Sequence, residues 1–544
     1  FLLLHRPREW SETEQRHIGW ERKRGKLEQL LAWLARADGA AGGSPFIDLG
    51  PLSRCRPGTR YVVTLDGDTD LPPGQLLALV GVAAHPLNQP RLDAGGRRVV
   101  AGYGILQPRV VTPLPAPDTV TAYHRLFAGQ CGLDPYSAAS SELYQDVFGE
   151  GTFTGKGLLH VQALHRVLHG RLPENQVLSH DLLEGSLVRC AGVSDITVVE
   201  DAPVHADVAH SRLHRWTRGD WQLLPFVCHP GRWPMALINR WKMVDNLRRS
   251  LVAPASLALL LLVLGTGVLP LGLTLVLVAA AFSAGPLLGA VAGLAPSRDD
   301  IALRRFFRLA GADLARALLI GVWQLAMLLH QAWMYSDAVL RALWRQAVSR
   351  RRLLAWTTAA AAQASAQLRL PALLRQHWRI PASALVLAGL MGLAALRGAA
   401  VQAAALPLLL LWAAAPVWIW LASRPLPPPR HDRLDDTQRQ WLLGVARDTW
   451  RYYEHHVGAE DHHLPPDNVQ MSPHTMVAHR TSPTNIGLYL LAAASAQAMG
   501  LIDRAELARR LAATLDTLDR LPRHHGHLAN WIATDTLAEL SPTY

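Results

Sequence analysis

Two uncharged apolar runs, residues 251–269 and 271–294, constrain this chain more than any other feature. About 20 residues of helix cross the hydrocarbon core of a bilayer. Each run is about long enough to span, and Pro270 between them marks a tight turn. A second pair covers about 382–399 and 401–422, with Arg397 inside the first. Segment 312–335 is apolar too but carries Arg316, Gln324, His330 and Gln331, so it either spans or lies in the interface. Charge arbitrates. Arg240, Lys242, Arg248 and Arg249 flank the first span, and Arg304, Arg305 and Arg308 follow the second. Arg341, Arg345, Arg350, Arg351, Arg352, Arg369, Arg375 and Arg379 precede the third, and Arg424 and Arg430 follow the last. The positive-inside bias assigns all of them to the cytoplasmic side. Four spans in two hairpins satisfy every cluster, with 312–335 interfacial or re-entrant. A fifth span would put Arg350, Arg351 and Arg352 outside.

The flanking zones are different in kind. Residues 1–250 mix short apolar runs with Gly, Pro and charges, the pattern of a soluble α/β domain. Residues 251–425 form the transmembrane zone. Arg424-Pro-Leu-Pro-Pro-Pro-Arg430 is a proline-rich linker to residues 431–544, which are polar, His-rich and mostly helical in pattern. Half of the 544 residues are hydrophobic and 18% are charged, which excludes a disordered tail, a collagen-like fibre and a small disulfide scaffold. The formal net charge of +11 reads as contact with anionic lipid of the bilayer. No nucleic-acid motif accompanies it. Cysteines at 55, 131, 190 and 228 form no C-x-x-C pair, so neither a zinc site nor a disulfide framework is expected. The chain starts at Phe1 without a Met or signal pattern and reads as a piece of a longer protein.

Four elements carry chemistry. In Arg60-Tyr-Val-Val-Thr-Leu-Asp66-Gly-Asp68-Thr-Asp70, a β-branched run reads as a buried strand that ends in two acids spaced D-x-D. Carboxylates on such a turn hold a hard divalent cation, which in turn grips a diphosphate. Asp and Gly also favour ordinary surface turns. Upstream, Glu21-Arg-Lys23-Arg-Gly25-Lys26 opens a helix with a basic turn whose backbone N–H groups and Lys26 are placed to face a phosphate. Downstream, Ser179-His180-Asp181-Leu-Leu-Glu184 begins an amphipathic helix. Its acid either complements the helix dipole or deprotonates an acceptor hydroxyl, and Glu200-Asp201 is a rival acid pair. Finally, Arg212-Leu-His-Arg215-Trp216-Thr-Arg218 lies just before the membrane zone. Clustered Arg and Trp pair with phosphate and stack on sugar rings, or they form an interfacial belt.

Taken together and in this order, the four elements resemble the processive inverting glycosyltransferases of the cellulose-synthase type: basic G-K turn, D-x-D, base, then R-x-x-R-W beside the membrane. Asp181 precedes Arg212 by 31 residues and Asp201 by 11, and the family's spacing favours Asp181 as base. Trp20-Glu-Arg-Lys-Arg-Gly-Lys26, Thr64-Leu-Asp-Gly-Asp-Thr-Asp70, Phe148-Gly-Glu-Gly-Thr-Phe-Thr-Gly-Lys-Gly157, His214-Arg-Trp-Thr-Arg-Gly-Asp-Trp221 and His479-Arg-Thr-Ser-Pro-Thr-Asn-Ile-Gly487 are similar to the synthases of cyclic β-1,2-glucan.

That resemblance implies a GT-A-type, Rossmann-like α/β catalytic domain, an all-α transmembrane domain, and the beginning of a glycoamylase-like, α/α barrel-like helical domain. It implies a multi-pass protein of the inner (cytoplasmic) membrane, with its catalytic domain cytoplasmic, that transfers glucose from UDP-glucose to a growing β-glucan, later closed into a ring. Asp66 and Asp68 would bind Mg²⁺ or Mn²⁺ and the diphosphate. Asp181 would be the catalytic base. Lys26, Arg215 and Trp216 would hold the donor's UDP, and Gly155 and Trp216 would face the acceptor. The family's catalytic domain begins upstream of Phe1 and its proteins end in a phosphorylase-like domain, both outside this sequence. A glycoside phosphorylase or hydrolase led by residues 431–544 would need a carboxylate pair there. A non-enzymatic scaffold or glucan exporter would not need D-x-D, Asp181 and R-x-x-R-W in that order.

Overall fold

The computed structural model describes residues 2–36, 44–53, 58–116, 119–128, 143–295, 302–355, 359–364, 366, 369–427 and 434–540. The chain divides into two compact units, residues 1–427 and 428–544. The α/β zone and the apolar helices therefore belong to the first unit, and the C-terminal zone is the second. Cys55 and Cys131 lie outside the described residues; Cys190 and Cys228 are free thiols.

The first unit is built on a five-stranded mixed sheet. Its strands are β1 (Tyr61–Thr64), β2 (Thr69–Asp70), β3 (Ile105–Val111), β4 (Gly157–His160) and β5 (Cys190–Glu200), in spatial order β1-β4-β3-β5-β2. β3 and β5 pair in parallel, and the other neighbours are antiparallel. Successive strand residues face opposite sides of a sheet, and here both sides are covered. Ile105, Leu159, Leu183 and Leu187 pack on one face, and Leu79, Leu106, Leu158 and Ile196 on the other. The first face is covered by α1 (Arg22–Leu34), α4 (Val161–Leu168) and α5 (Asp181–Val188), and the second by α2 (Gln75–Ala84). Burial on both sides fixes the register of β1 and β4, since a one-residue slip would turn their apolar side chains away from the core they fill. The ends of β1 and β4, and so the acids and glycines beyond them, are placed by that constraint.

After β5 the chain enters α6 (Ala206–Gln222), then α7 (Leu237–Thr266), whose first half is charged and whose second half is apolar. Gly267, at φ 66°, ends α7 in the left-handed conformation that glycine adopts without strain. Pro270 then caps α8 (Leu271–Ala292), giving the expected hairpin. α9 (Leu303–Ala326), α10 (Leu328–Trp344), α11 (Arg379–Leu396), α12 (Ala405–Ala413) and α13 (Ala415–Ala422) follow. Among the described residues, four helices are long and apolar enough to cross a membrane: α7, α8, α9 and α11.

The count agrees with the sequence reading, but the membership differs. Run 401–422 is not one helix: α12 and α13 meet at a 50° bend, and counted as one span this pair makes a fifth. Pro416 in the first turn of α13 explains the break, because its ring displaces the carbonyl four residues back and it has no N–H to donate. Segment 312–335 also divides, at the buried Met327. Its first part lies within α9, where Arg316 donates to the Leu126 and Arg125 carbonyls at 3.1 Å each. Those carbonyls belong to α3 (Ala122–Phe127) of the α/β part. Its second part opens α10, which packs along α6 and α7 and meets α6 through polar contacts. His330 meets His210 at 3.1 Å, and Asp337 meets His214 at 2.9 Å.

The second unit contains α14 (Asp436–His456), α15 (Pro483–Ala498) and α16 (Arg504–Arg520) around Trp450, Val457, Tyr489, Ala493 and Ala496. Asp435 and Gln438 form a reciprocal capping box at the start of α14, and Ser482 caps α15 ahead of Pro483.

Candidate active site

The acids of the D-x-D leave the sheet at the end of β1. Thr64 is buried and Asp66 is half-buried just beyond it, while Asp68 is exposed on the turn to β2. The Thr69 N–H donates to the Asp66 carbonyl at 3.2 Å and closes that turn. Two lysines converge on the Asp66 side chain. Lys23 Nζ donates to Oδ1 at 2.5 Å, and Lys156 Nζ lies 3.4 Å from Oδ2. Burial alone would raise the pKa of Asp66. The hydrogen bond and charge of Lys23, with those of Lys156, outweigh it and hold the carboxyl below its ordinary value.

The glycine loop 149–157 is strapped across this end of the sheet. Thr64 Oγ1 donates towards the Gly155 and Gly157 carbonyls at 3.3 Å each, and Lys23 Nζ donates to the Gly155 carbonyl at 3.0 Å. Gly155 has φ +90°, and a Cβ placed on it would stand 2.9 Å from Asp181 Oδ1. The loop backbone therefore lies directly against the Asp181 carboxylate, and a residue without a side chain is what allows it. Asp181 is the first residue of α5, and its side chain keeps 32% exposure.

α6 closes the site from the membrane side. Arg215 is half-buried. Burial and the neighbouring charge of Arg212 lower its pKa, against the opposing pull of Asp66, Asp181 and Asp68. One guanidinium therefore shares a field with both D-x-D acids and with Asp181. The Arg212 guanidinium sits 4.6 Å from the Trp216 ring centroid, and that ring is 42% exposed. Lys156, Glu200 and Arg212 form a continuous chain. Glu200 Oε2 is 2.5 Å from Lys156 Nζ, and its Oε1 accepts from Arg212 at 2.9 Å. Both oxygens of Glu200 are thus held by cations, while Asp201 is exposed beyond the strand. Neither has the setting that Gly155 gives Asp181.

Most of the residues expected from sequence come together here: Asp66, Asp68, Gly155, Asp181, Arg215 and, at the rim, Trp216. Lys26 does not. It is exposed one turn further along α1, and the lysine that reaches Asp66 is Lys23. Arg24, between them, turns inward to Glu21 at 2.6 Å and Glu28 at 3.0 Å. Lys156 stands in the glycine loop and Glu200 in the rival acid pair with Asp201, but neither sequence context indicates that they pair with each other. Asp66 and Asp68 offer hard oxygen donors on one open turn. Asp66 is ionised, with 38% of its side chain exposed. These residues fit a divalent cation of the Mg²⁺ or Mn²⁺ type, with the lysines yielding part of their hold on Asp66.

A family model described as "Protein of unknown function (DUF3131)" matches residues 444–540, within the second unit. The chain is 42% identical over 548 aligned residues to the cyclic beta-(1,2)-glucan synthase NdvB of Rhizobium meliloti (strain 1021). That match covers all of this chain and 19% of the relative, so the chain spans about a fifth of the curated relative's length. The resemblance carried by separate motifs thus extends along the whole chain, which is similar throughout to part of a cyclic β-(1,2)-glucan synthase.

Proposed function

We propose that this chain carries the glucosyltransferase centre of a membrane-bound β-1,2-glucan synthase, inverting and dependent on UDP-glucose, whose full-length protein closes the glucan into a ring. The observation that carries the reading is the convergence of Asp66, Gly155, Asp181 and Arg215 on one end of the sheet, from four separate segments. The donor's diphosphate is the natural partner for Lys23, Lys156 and Arg215, three cations aimed at one pocket of acids. Mg²⁺ or Mn²⁺ held by Asp66 and Asp68 would supply charge neutralisation to the departing UDP.

Asp181 takes the proton from an acceptor sugar hydroxyl as that oxygen attacks the anomeric carbon. The bond to UDP breaks as the new glycosidic bond forms, and the electron pair leaves with the diphosphate. One in-line displacement on an α-linked donor gives a β linkage. Trp216 offers a stacking face for the acceptor's sugar ring, and the bare backbone of Gly155 leaves room beside the base. With Arg240, Lys242, Arg248 and Arg249 at the start of the first span on the cytoplasmic side, the α/β part that precedes them faces the cytoplasm of an inner membrane and meets a nucleotide-sugar donor there.

The test uses the full-length parent protein in membranes, with labelled UDP-glucose and Mg²⁺ or Mn²⁺. Asp181→Asn is expected to abolish incorporation into glucan while UDP still binds. Unchanged incorporation would move the base elsewhere. A folded wild type with no incorporation would refute the transferase reading.

A further inference from the structure

Behind Asp181 lies a buried group that the chemistry above does not use. His180 precedes α5 and is 6% exposed. Its Nδ1 lies 3.0 Å from Glu184 Oε1, one helical turn on, and 3.5 Å from Asp181 Oδ1. Glu184 is buried as well. His180 Nδ1 and Asp181 Oδ1 are both sequestered from solvent without a well-aligned hydrogen bond, and they face each other. His180 Nδ1 already has Glu184, but a buried Asp181 Oδ1 left unpaired is costly, so that oxygen is poised to close on the imidazole. Asp181 also abuts the Gly155 backbone, with Oδ1 the nearest atom. Its carboxylate is thus caged between a glycine and an imidazole.

We propose that His180 is a positioning residue for Asp181: its Nδ1–H, shared between Glu184 Oε1 and Asp181 Oδ1, fixes Oδ1 and so presents Oδ2 to the acceptor hydroxyl. This rests on Asp181 being the base. The groups facing His180 are Glu184 and Asp181 on α5 and Arg24 on α1. Burial and Arg24 disfavour its charge. Glu184 and Asp181 outweigh them and raise its pKa to about 9, so the ring stays charged through neutral pH and both its nitrogens carry a hydrogen. The same trio, with ligand atoms within 4.8 Å of one another, is also the metal-like cluster found among the described residues. A metal there would occupy the base, and the Mn²⁺ count below separates that arrangement from the hydrogen-bonded one.

The experiment measures kcat, KM for UDP-glucose and UDP affinity from pH 6 to pH 10 in the full-length protein, for wild type, His180→Gln and Glu184→Gln. Wild type is expected to lose kcat above about pH 9 as His180 loses its charge and with it the charge-assisted hold on Asp181. His180→Gln should lower kcat by about 10- to 100-fold, as loose placement of a reacting group does, with KM and UDP affinity kept and the alkaline limb gone. Glu184→Gln should move that limb to lower pH by about one unit or more, since a carboxylate neighbour favours the charged imidazole. It serves as the second readout where His180→Gln folds poorly. Alkaline limbs that coincide in all three proteins would overturn the proposal. So would Mn²⁺ binding, counted on purified protein, that falls by one ion per chain in His180→Gln. Asp181→Asn in the same series separates the failures. If it stays active, the base assignment is wrong. If it is dead while His180→Gln matches wild type at every pH, only the positioning role is wrong.

Discussion

Gly155→Ala isolates the geometry of the base. Gly155 sits at φ +90°, where an L-residue is strained by about 1–3 kcal/mol. The added methyl would lie 2.9 Å from Asp181 Oδ1 and 3.1 Å from its Cγ and Oδ2. Ordinary carbon–oxygen contact is about 3.4 Å or more, so a few tenths of an ångström must be found. The backbone cannot supply it easily, since the Gly155 carbonyl is tied to Lys23 and Thr64. The Asp181 side chain therefore moves. For folding this costs little beyond the strain. For catalysis it displaces the proton acceptor, and a misplacement of about 1 Å is worth about 100-fold. The expected result is a kcat lowered by about 10- to 100-fold with UDP affinity kept, and a melting temperature lowered by a few degrees. Gly170→Ala is the control: Gly170 has φ +64° and open space around it, so the same strain arises with no carboxylate to push. It should lose similar stability and keep kcat. Equal activity in the two variants would refute the claim that the loop backbone packs on the base.

Three further outcomes are expected. Lys23→Met should weaken UDP binding by about tenfold or more, the scale of one charge-assisted hydrogen bond, while Lys26→Met should leave it unchanged; the reverse order in a titration would return the phosphate role to Lys26. Glu200→Gln leaves the buried Lys156 with only its longer contact to Asp66 and should destabilise the fold by about 1.5–3 kcal/mol, with Lys156→Met in the same chain recovering part of it in a double-mutant thermal series. Asp220 on α6 is buried, which raises its pKa to about 6 against an opposing hydrogen bond from Asn246 and the charge of Arg249. A carboxyl raised on folding is most favourable below its unfolded pKa, and that contribution is lost as pH climbs towards 6. Asp220→Asn should therefore raise the melting temperature at pH 8 and change it much less at pH 4, and a gain confined to acid would contradict the assignment.

Several parts of this arrangement were legible in the residues alone. The β-branched run ending in D-x-D specified a strand with acids beyond it, and β1 is that strand. The apolar runs specified helices α7 and α8, with Pro270 between them. The break at Ala414 could have been read from Pro416, whereas the break at Met327 has no glycine or proline beside it. It follows from the two faces α10 must satisfy, polar along α6 and apolar elsewhere, which only tertiary contacts reveal. The choice between Lys23 and Lys26 was hidden for a similar reason. They stand one helical turn apart on α1, and only the position of the β1 end decides which of them meets a carboxylate.

Glu200 shows the deeper limit, because sequence offers an acid without saying what it faces. Beside Asp201 at the end of β5, it reads as a rival base. In the fold it is the hinge of a charge lattice in which Asp66, Asp68, Asp181 and Glu200 are matched by Lys23, Lys156, Arg212 and Arg215. Such a site begins close to neutrality. A diphosphate arriving with a divalent cation leaves that balance intact, whereas either alone upsets it at low dielectric, where uncompensated charge is expensive. The lattice also ties the D-x-D to α6 through Lys156 and Glu200, so whatever loosens the hold of Lys156 on Asp66 is felt at Arg212 and at the Trp216 ring beneath it. Under the proposed function, donor loading at the end of the sheet and acceptor placement on α6 would be joined through one buried ammonium, a connection made across 44 residues of chain between Lys156 and Glu200 that no local motif encodes.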